Sequence, residues 1–277
     1  MKKNNIAFTF ATAEVNRIGQ LFIMITELLT GKLKLKKLYD EYLSENRPPQ
    51  LFWDDAVTKL DLKLITNFKK NSYIPSKGKL IVIANHAFGV ADGVSICSVL
   101  SKVRQDYKMV THKVLRQADA VKDKILPIDF NETKEALLTN INTRKEAEKV
   151  LLNDGVIVLF PSGRIATKKN LNKNTKADDG EWKHWVSKLI LKTKSPVLPI
   201  FFDGQNSKWY HMANKLGLTF RYSLCMYELK RKIGDSINMY FGSIISYEDL
   251  AEIGDIKEIT LHLRSVTYSL DPQLNNN

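Results

Sequence analysis

The sequence predicts an α/β protein, a mostly parallel central sheet flanked by helices, with an N-terminal helical hairpin. Three observations predict it. Residues 80–84, 156–160 and 197–202 are short apolar runs rich in branched side chains, as buried strands are. Longer stretches with helical spacing separate these runs, and strands alternating with helices build parallel sheets through crossovers. At the N-terminus, Val15, Ile18, Phe22, Ile25 and Leu29 recur at spacings of three and four, ahead of Arg47-Pro48-Pro49, the clearest linker in the chain.

In order, residues 11–30 and 32–43 read as the two helices of the hairpin, broken at Gly31, with Lys32, Lys34, Lys36 and Lys37 opening the second. Residues 51–61 read as a short helix, 62–68 as a strand and 73–78 as a turn into the strand at 80–84. A helix over 93–100 follows, then strands at 107–111 and 124–128, and a long helix over 131–153 that ends near Gly155. The strand at 156–160 matches the first in strength. Beyond it come a helix over 182–193, the strand at 197–202, a late strand at 237–241 and a closing helix over 256–268. Pro199 inside an apolar strand predicts an edge, a bulge or a bend. Asn206 or Ser207 is placed to cap a helix before Trp209. Residues 167–181, rich in Lys and Asn, read as a mobile loop, and 275–277 as a disordered tail. The Pro-Pro linker divides an N-terminal arm, 1–47, from an α/β domain, 48–277.

Composition narrows the partners. Lys+Arg 42 against Asp+Glu 30 gives a net charge of +12, which favours nucleic acid, an anionic membrane surface, or phosphorylated and carrier-bound substrates. Cys97 and Cys225 are the only cysteines, so there is neither a zinc-spaced cluster nor a disulfide framework, and a cytoplasmic setting fits. Residues 1–44 lack the order of a secretory leader. No stretch reaches the roughly 18–20 apolar residues of a membrane span; 18–29 comes nearest, but Gln20 and Glu27 interrupt it. A chain of this kind that meets a membrane lies on its inner face.

Four blocks carry candidate chemistry. The first runs from Leu80 to Asp92. His86 follows the strand, Gly89 lets the loop turn, and Asp92 precedes Gly93 as a candidate N-cap. A carboxylate folded onto an imidazole fixes its tautomer and suits a general base acting on a hydroxyl. The plainer alternative is a polar pair at a strand end, with Asp92 only capping its helix. The second block, 160–166, follows a strong strand, where ligands of open α/β sheets bind. There Ser162 and Gly163 offer backbone, and Arg164 can clamp a phosphate or carboxylate; the alternative is a Pro-Gly loop with a surface Arg. The third block ends in Asp203, Gly204, Gln205, Asn206 and Ser207, with Gln205 and Asn206 as candidate lining. The fourth, 107–116, holds His112, Lys113 and Arg116, for which a solvated face is the favoured reading.

In this order and spacing, the blocks resemble the glycerolipid acyltransferase family, the 1-acylglycerol-3-phosphate acyltransferases and their relatives. The family signature is Asn-His, four residues, then Asp; here five residues separate His86 from Asp92. That spacing is similar to a bacterial subgroup of putative haemolysins and lyso-ornithine lipid acyltransferases, whose motif is His-Pro-x-Gly-Gly-x-Asp-Gly. Ala87 stands at its Pro and Val90 at its second Gly. The family's Glu-Gly-Thr-Arg-Ser block resembles Ser162-Gly163-Arg164-Ile165-Ala166, with Ser162 in place of Glu and the Arg one position early. Val197-Leu198-Pro199 and Gly204–Ser207 resemble later blocks. The resemblance implies an O-acyltransferase moving a fatty acyl group from a thioester, on acyl carrier protein or coenzyme A, to a lysolipid hydroxyl. His86 would take the proton and Asp92 would orient it. Arg164, with the Ser162–Gly163 backbone, would hold an anionic head group or the oxyanion, and Gln205 and Asn206 would line the site. The resemblance implies no metal, no permanently bound cofactor and no nucleic acid partner, and an anionic membrane surface as the place of work. The loss of the Glu argues against assuming a glycerol phosphate acceptor. Two alternatives stay open: a non-catalytic lipid-binding or effector protein of the same fold, and a basic nucleic-acid-binding protein.

Overall fold

Strands that are apolar without a break need cover on both faces, so they belong at the centre of a sheet. In a computed structural model, which describes residues 9–12, 14–68, 72–171 and 175–274, the three strongest runs lie side by side. These are β2 (Leu80–Ala84), β5 (Val156–Leu159) and β6 (Val197–Asp203), every residue of which is buried except Asp203. With β1 (Lys63–Phe68), β3 (Tyr107–His112), β4 (Ile125–Ile128) and β7 (Ser236–Phe241) they form one seven-stranded sheet in the order β1-β7-β6-β2-β5-β3-β4. All neighbours are parallel except β6 and β7, which run antiparallel.

Alternation splits the core into two layers. Leu80, Val82 and Ala84 face α3 (Phe52–Lys59) and α4 (Val90–Ser101). Ile81 and Ile83 face the layer of α5 (Lys134–Leu152), α6 (Trp185–Thr193) and α11 (Ile256–Tyr268), through residues such as Leu151, Ile190 and Leu263. The closing helix has the bounds its periodicity predicts. The helix expected after a cap at Asn206 or Ser207 is α7 (Lys208–Leu216), while three other short helices are not foreseen by the sequence reading: α8 (Leu218–Ser223), α9 (Cys225–Arg231) and α10 (Tyr247–Ile253). Ser207 caps α7 as expected, accepting from the Tyr210 N–H at 3.2 Å.

Pro199 lies in a central strand, not at an edge. Val197 N–H donates to Ile245 and Gly242 N–H donates to the Pro199 carbonyl, so residue 199 faces the side of β7. The β6–β7 ladder starts only at Ile200↔Phe241. The missing N–H therefore falls where the neighbouring strand has left the ladder, which is what an edge would otherwise provide.

The N-terminal hairpin is also corrected. α1 (Arg17–Glu27) and α2 (Leu33–Ser44) join through a π-helical stretch, Leu28–Lys32, as one helical run. Gly31 does not break the helix; it lets α9 come close. A Cβ at residue 31 would sit 2.6 Å from the Met226 carbonyl oxygen. The apolar stripe also lies elsewhere than a packed hairpin would put it. α1 buries Gly19, Ile23 and Glu27, while Ile18 is 81% and Leu29 78% exposed. Buried Glu27 holds the preceding segment, accepting from Thr9 Oγ1 at 2.6 Å and Phe10 N–H at 2.7 Å. Within the expected loop, Thr167 and Asp178 form a β-bridge and Asp179 is buried; residues 172–174, and the expected tail at 275–277, lie outside the described residues.

Gly31→Ala should destabilise the protein by about 1–3 kcal/mol, the usual cost of forcing a methyl against a rigid neighbour. Urea unfolding followed by circular dichroism measures this; an unchanged midpoint would show that α9 can retreat.

Candidate active site

The site forms where β2 ends. Asn85 extends the ladder with its side chain: Nδ2 donates to the Phe202 carbonyl at 3.0 Å and Oδ1 accepts from the Phe202 N–H at 2.7 Å. This doubles as a backbone pair and carries the β2–β6 contact one residue past the strand. His86 comes next and is held from several directions. Its N–H donates to Asp179 at 3.3 Å and its carbonyl accepts from Ala166 N–H at 2.6 Å. Its ring stacks on Phe160, with centroids 4.2 Å apart and planes at 24°.

The ring's Nδ1 lies 2.9 Å from Asp92 Oδ2. The same oxygen accepts the Phe88 N–H at 2.8 Å and the Gly89 N–H at 3.0 Å. Asp92 is fully buried, while the His86 side chain keeps 19% of its surface. The sequence reading of Asp92 as N-cap needs correction. α4 begins at Val90, three residues earlier than expected; Gly89 is the N-cap and Asp92 is the third helical residue. From there its carboxylate reaches back to the loop's orphan N–H groups, as an acid at this position does in a capping box. Because the acceptor is a carboxylate, Nδ1 carries the proton in neutral His86, and Nε2 is left with its lone pair.

The second block is partly gathered here. Ser162 is buried, and its Oγ lies 3.2 Å from the Arg164 N–H it accepts and 3.1 Å from the Arg164 carbonyl. Gly163 is exposed at a φ of 64°. Exposed Arg164 lines a polar cleft of about 220 Å³ with Lys168, Lys169, Asn214 and Lys215. The third block touches the first, since the Phe88 ring packs directly on Gly204. Asn206 is 4% exposed, and neither of its side-chain polar atoms has a hydrogen-bond partner. Gln205 instead lies exposed and props residues 176–178, accepting from Ala177 N–H at 3.1 Å.

The fourth block is turned elsewhere. His112 Nε2 pairs with Glu14 at 2.9 Å, its Nδ1 accepts the Val114 N–H at 3.1 Å, and Lys113 pairs with Asp129 at 2.7 Å. Arg116 is exposed. Burial works to raise the Glu14 carboxyl's pKa, but hydrogen bonds from His112 and the Tyr222 hydroxyl outweigh it and leave it below the usual carboxylate range. Among the described residues, no group of three or more His, Cys, Asp or Glu is placed to hold a metal ion.

On another face of α4, Val90 and Val94 line an apolar pocket of about 150 Å³. Leu35, Leu38 and Tyr39 of α2, with Trp53 and Met109, complete its lining. An apolar lining of this kind favours hydrocarbon over water.

Residues 66–277 match the acyltransferase family. The chain belongs to that family. Two curated relatives are each named lyso-glycine lipid O-acyltransferase. One, from Phocaeicola vulgatus, is 24% identical over 186 residues, which cover 65% of this chain and 63% of that protein. The other, from Bacteroides thetaiotaomicron, is 24% identical over 227 residues, 79% of each chain. Among solved structures, the 1-acyl-sn-glycerophosphate acyltransferase PlsC from Thermotoga maritima superposes with a TM-score of 0.49 at 15% identity, over 92% of this chain and 88% of that one.

Two residues that touch the His86 loop escape sequence reasoning. Phe160 opens the second block there with no role of its own, and Asp179 lies in the stretch rich in Lys and Asn. No spacing rule connects either to His86.

Gly89 sits at a φ of 85° and a ψ of −120°, and a Cβ there would lie 2.8 Å from Ile165 Cδ1. Gly89→Ala should therefore cost about 1–3 kcal/mol of stability through backbone strain. Chemical denaturation checks this, and a loss under 0.5 kcal/mol would mean the loop has another conformation available.

Proposed function

We propose that this acyltransferase moves a fatty acyl group from a thioester to the hydroxyl of a lysolipid, with His86 as general base. The observation that carries the reading is the Nδ1–Asp92 contact of 2.9 Å, which leaves the Nε2 lone pair free to accept a proton. In the reaction, Nε2 takes the proton of the acceptor hydroxyl as its oxygen attacks the thioester carbonyl. The tetrahedral oxyanion collapses, the C–S bond breaks, and the thiolate leaves with the proton held on Nε2. Asp92 holds the tautomer and stabilises the imidazolium between these steps. Coenzyme A and acyl carrier protein present the same thioester, so the site chemistry serves either donor.

The apolar pocket lined by Val90 and Val94 gives the acyl chain a seat. Arg164 offers a planar fork for an anionic head group. The relatives' names point to a lyso-glycine lipid as acceptor, and the basic cleft with Lys168 and Lys169 suits a lysolipid whose head group is an anion.

The enzyme works at a membrane surface in this reading. No helix among the described residues is long and apolar enough to cross a bilayer. Yet α1 exposes Ile18, Leu21, Ile25 and Leu29, and α7 and α8 add Trp209, Leu216 and Phe220. The two groups meet where the rings of Phe22 and Phe220 stand 5.1 Å apart. An apolar face with an aromatic residue at its border fits a helix lying in the interface. The lysines contribute less than their number suggests. Lys36 pairs with Asp40 at 2.6 Å, Lys37 lies 4.0 Å from Glu41, and Lys32 lies 3.9 Å from Glu27. The arm at 1–47 thus serves as the membrane contact of the domain at 48–277.

His86→Ala should lower turnover about 100- to 10,000-fold, the usual worth of a general base, and Asp92→Asn should fall in the same range by reversing the tautomer. Radiolabelled acyl transfer to a lysolipid measures both; His86→Ala turning over within a fewfold of wild type would remove the base from this residue.

Ile18→Glu with Leu29→Glu should release the protein from anionic vesicles, since each buried apolar side chain is worth about 1.5–3 kcal/mol and each lysine about 1 kcal/mol. Replacing Lys32, Lys34, Lys36 and Lys37 by Gln should cost less. Vesicle sedimentation ranks the two variants, and a larger loss from the lysines would make charge the main attraction.

A further inference from the structure

Asp179 is a carboxylate 1% exposed in a stretch whose composition suggests a solvated loop. Burying a carboxylate costs several kcal/mol unless its oxygens are satisfied. Here the donors converge. Tyr268 Oη donates to Oδ1 at 2.6 Å, and Trp182 Nε1 lies 3.3 Å from both oxygens. The His86 N–H donates to Oδ2 at 3.3 Å, and the Ser162 hydroxyl also reaches the carboxylate. Burial still holds the Asp179 pKa above the ordinary value, against the hydrogen bonds from Tyr268, Ser162 and Trp182.

The anchor is rigid because α11 grips it twice. Tyr268 Oη, while donating to the carboxylate, accepts the Asp179 N–H at 3.3 Å. One turn back on α11, Arg264 donates to the Gly180 carbonyl at 3.1 Å and pairs with Asp178. Asp179 thereby joins three parts of the molecule: the closing helix, the main chain of His86, and Ser162, whose Oγ caps the Arg164 N–H. Asp92 fixes the imidazole from the ring side, and Asp179 fixes the same residue from the backbone side.

We propose that Asp179 is a positioning residue for acyl transfer, holding the His86 main chain and the Ser162–Arg164 turn at a fixed separation from one shared carboxylate. It acts through His86 and Ser162. The proposal rests on His86 being the base. Displacing a base by an ångström costs about 100-fold in rate, so the loss belongs in turnover.

The test compares Asp179→Asn, Tyr268→Phe and the double variant in the full chain, with His86→Ala as control. Asn keeps the volume, but its NH2 group replaces one carboxylate oxygen and cannot accept there, so the His86 N–H or the Tyr268 hydroxyl loses its acceptor while the packing is kept. Asp179→Asn should lower kcat about 10- to 100-fold with the donor KM within twofold of wild type. Tyr268→Phe should lower kcat in the same direction, and the double variant should be no worse than Asp179→Asn alone, because both substitutions release one anchor. Melting temperatures taken in parallel separate rate loss from unfolding. A kcat within twofold of wild type in folded Asp179→Asn overturns the proposal, as do multiplicative losses in the double variant or a loss confined to the donor KM. If His86→Ala is fully active, the general-base reading itself fails; if it is inactive while Asp179→Asn is unchanged, only the positioning role does.

Discussion

One carboxylate oxygen, Asp92 Oδ2, accepts from the His86 ring, the Phe88 N–H and the Gly89 N–H, and the site is arranged around that convergence. It has to be the third residue of α4 for the geometry to close. A residue there points back along the helix toward the loop that precedes it. The helix N-terminus carries partial positive charge, which favours a buried carboxylate at that spot. The loop between β2 and α4 is therefore folded by the same carboxylate that holds the His86 ring, so the two cannot vary independently.

The same helix joins the polar site to the apolar core. Nine of its residues are buried, including Asp92, Gly93, Ser95 and Cys97. Gly93 meets the Met109 side chain and Val94 faces the cavity, so α4 is packed on β3 along one side and borders hydrocarbon space along another. Such packing leaves little freedom for the carboxylate to swing, and its burial strengthens the hydrogen bond to the imidazole.

Where the sequence is legible, the signal is local. Continuous apolar runs identify β2, β5 and β6 because a strand covered on both faces tolerates few polar residues. The period of 3.6 residues finds α11 with its bounds, since its apolar stripe faces one layer. The His86–Asp92 pairing is legible through spacing alone. What escapes is set by contacts distant in sequence. Gly31 looks like a helix break but serves a backbone approach by Met226. α8 and α9 are short, and α8 turns Phe220 outward, so neither shows a clear apolar periodicity. Asp179 sits among lysines and asparagines, and only the fold brings it under His86. Pro199 reads correctly as a gap in a ladder, yet the gap lies inside the sheet.

The order of strands has a consequence for how the chain is made. β1 lies at the sheet edge and pairs only with β7, while β7 also completes the antiparallel contact to β6. The early helical run likewise waits for α8 and α9, which supply Phe220 and Met226 to its flank. Nearly the whole chain must leave the ribosome before its first elements find their permanent neighbours. Pairings this far apart in sequence make folding slow and leave apolar surface open in the meantime. The outward stripe of α1 precedes those partners in the chain, so chaperones have apolar surface to shield there while the sheet is still incomplete.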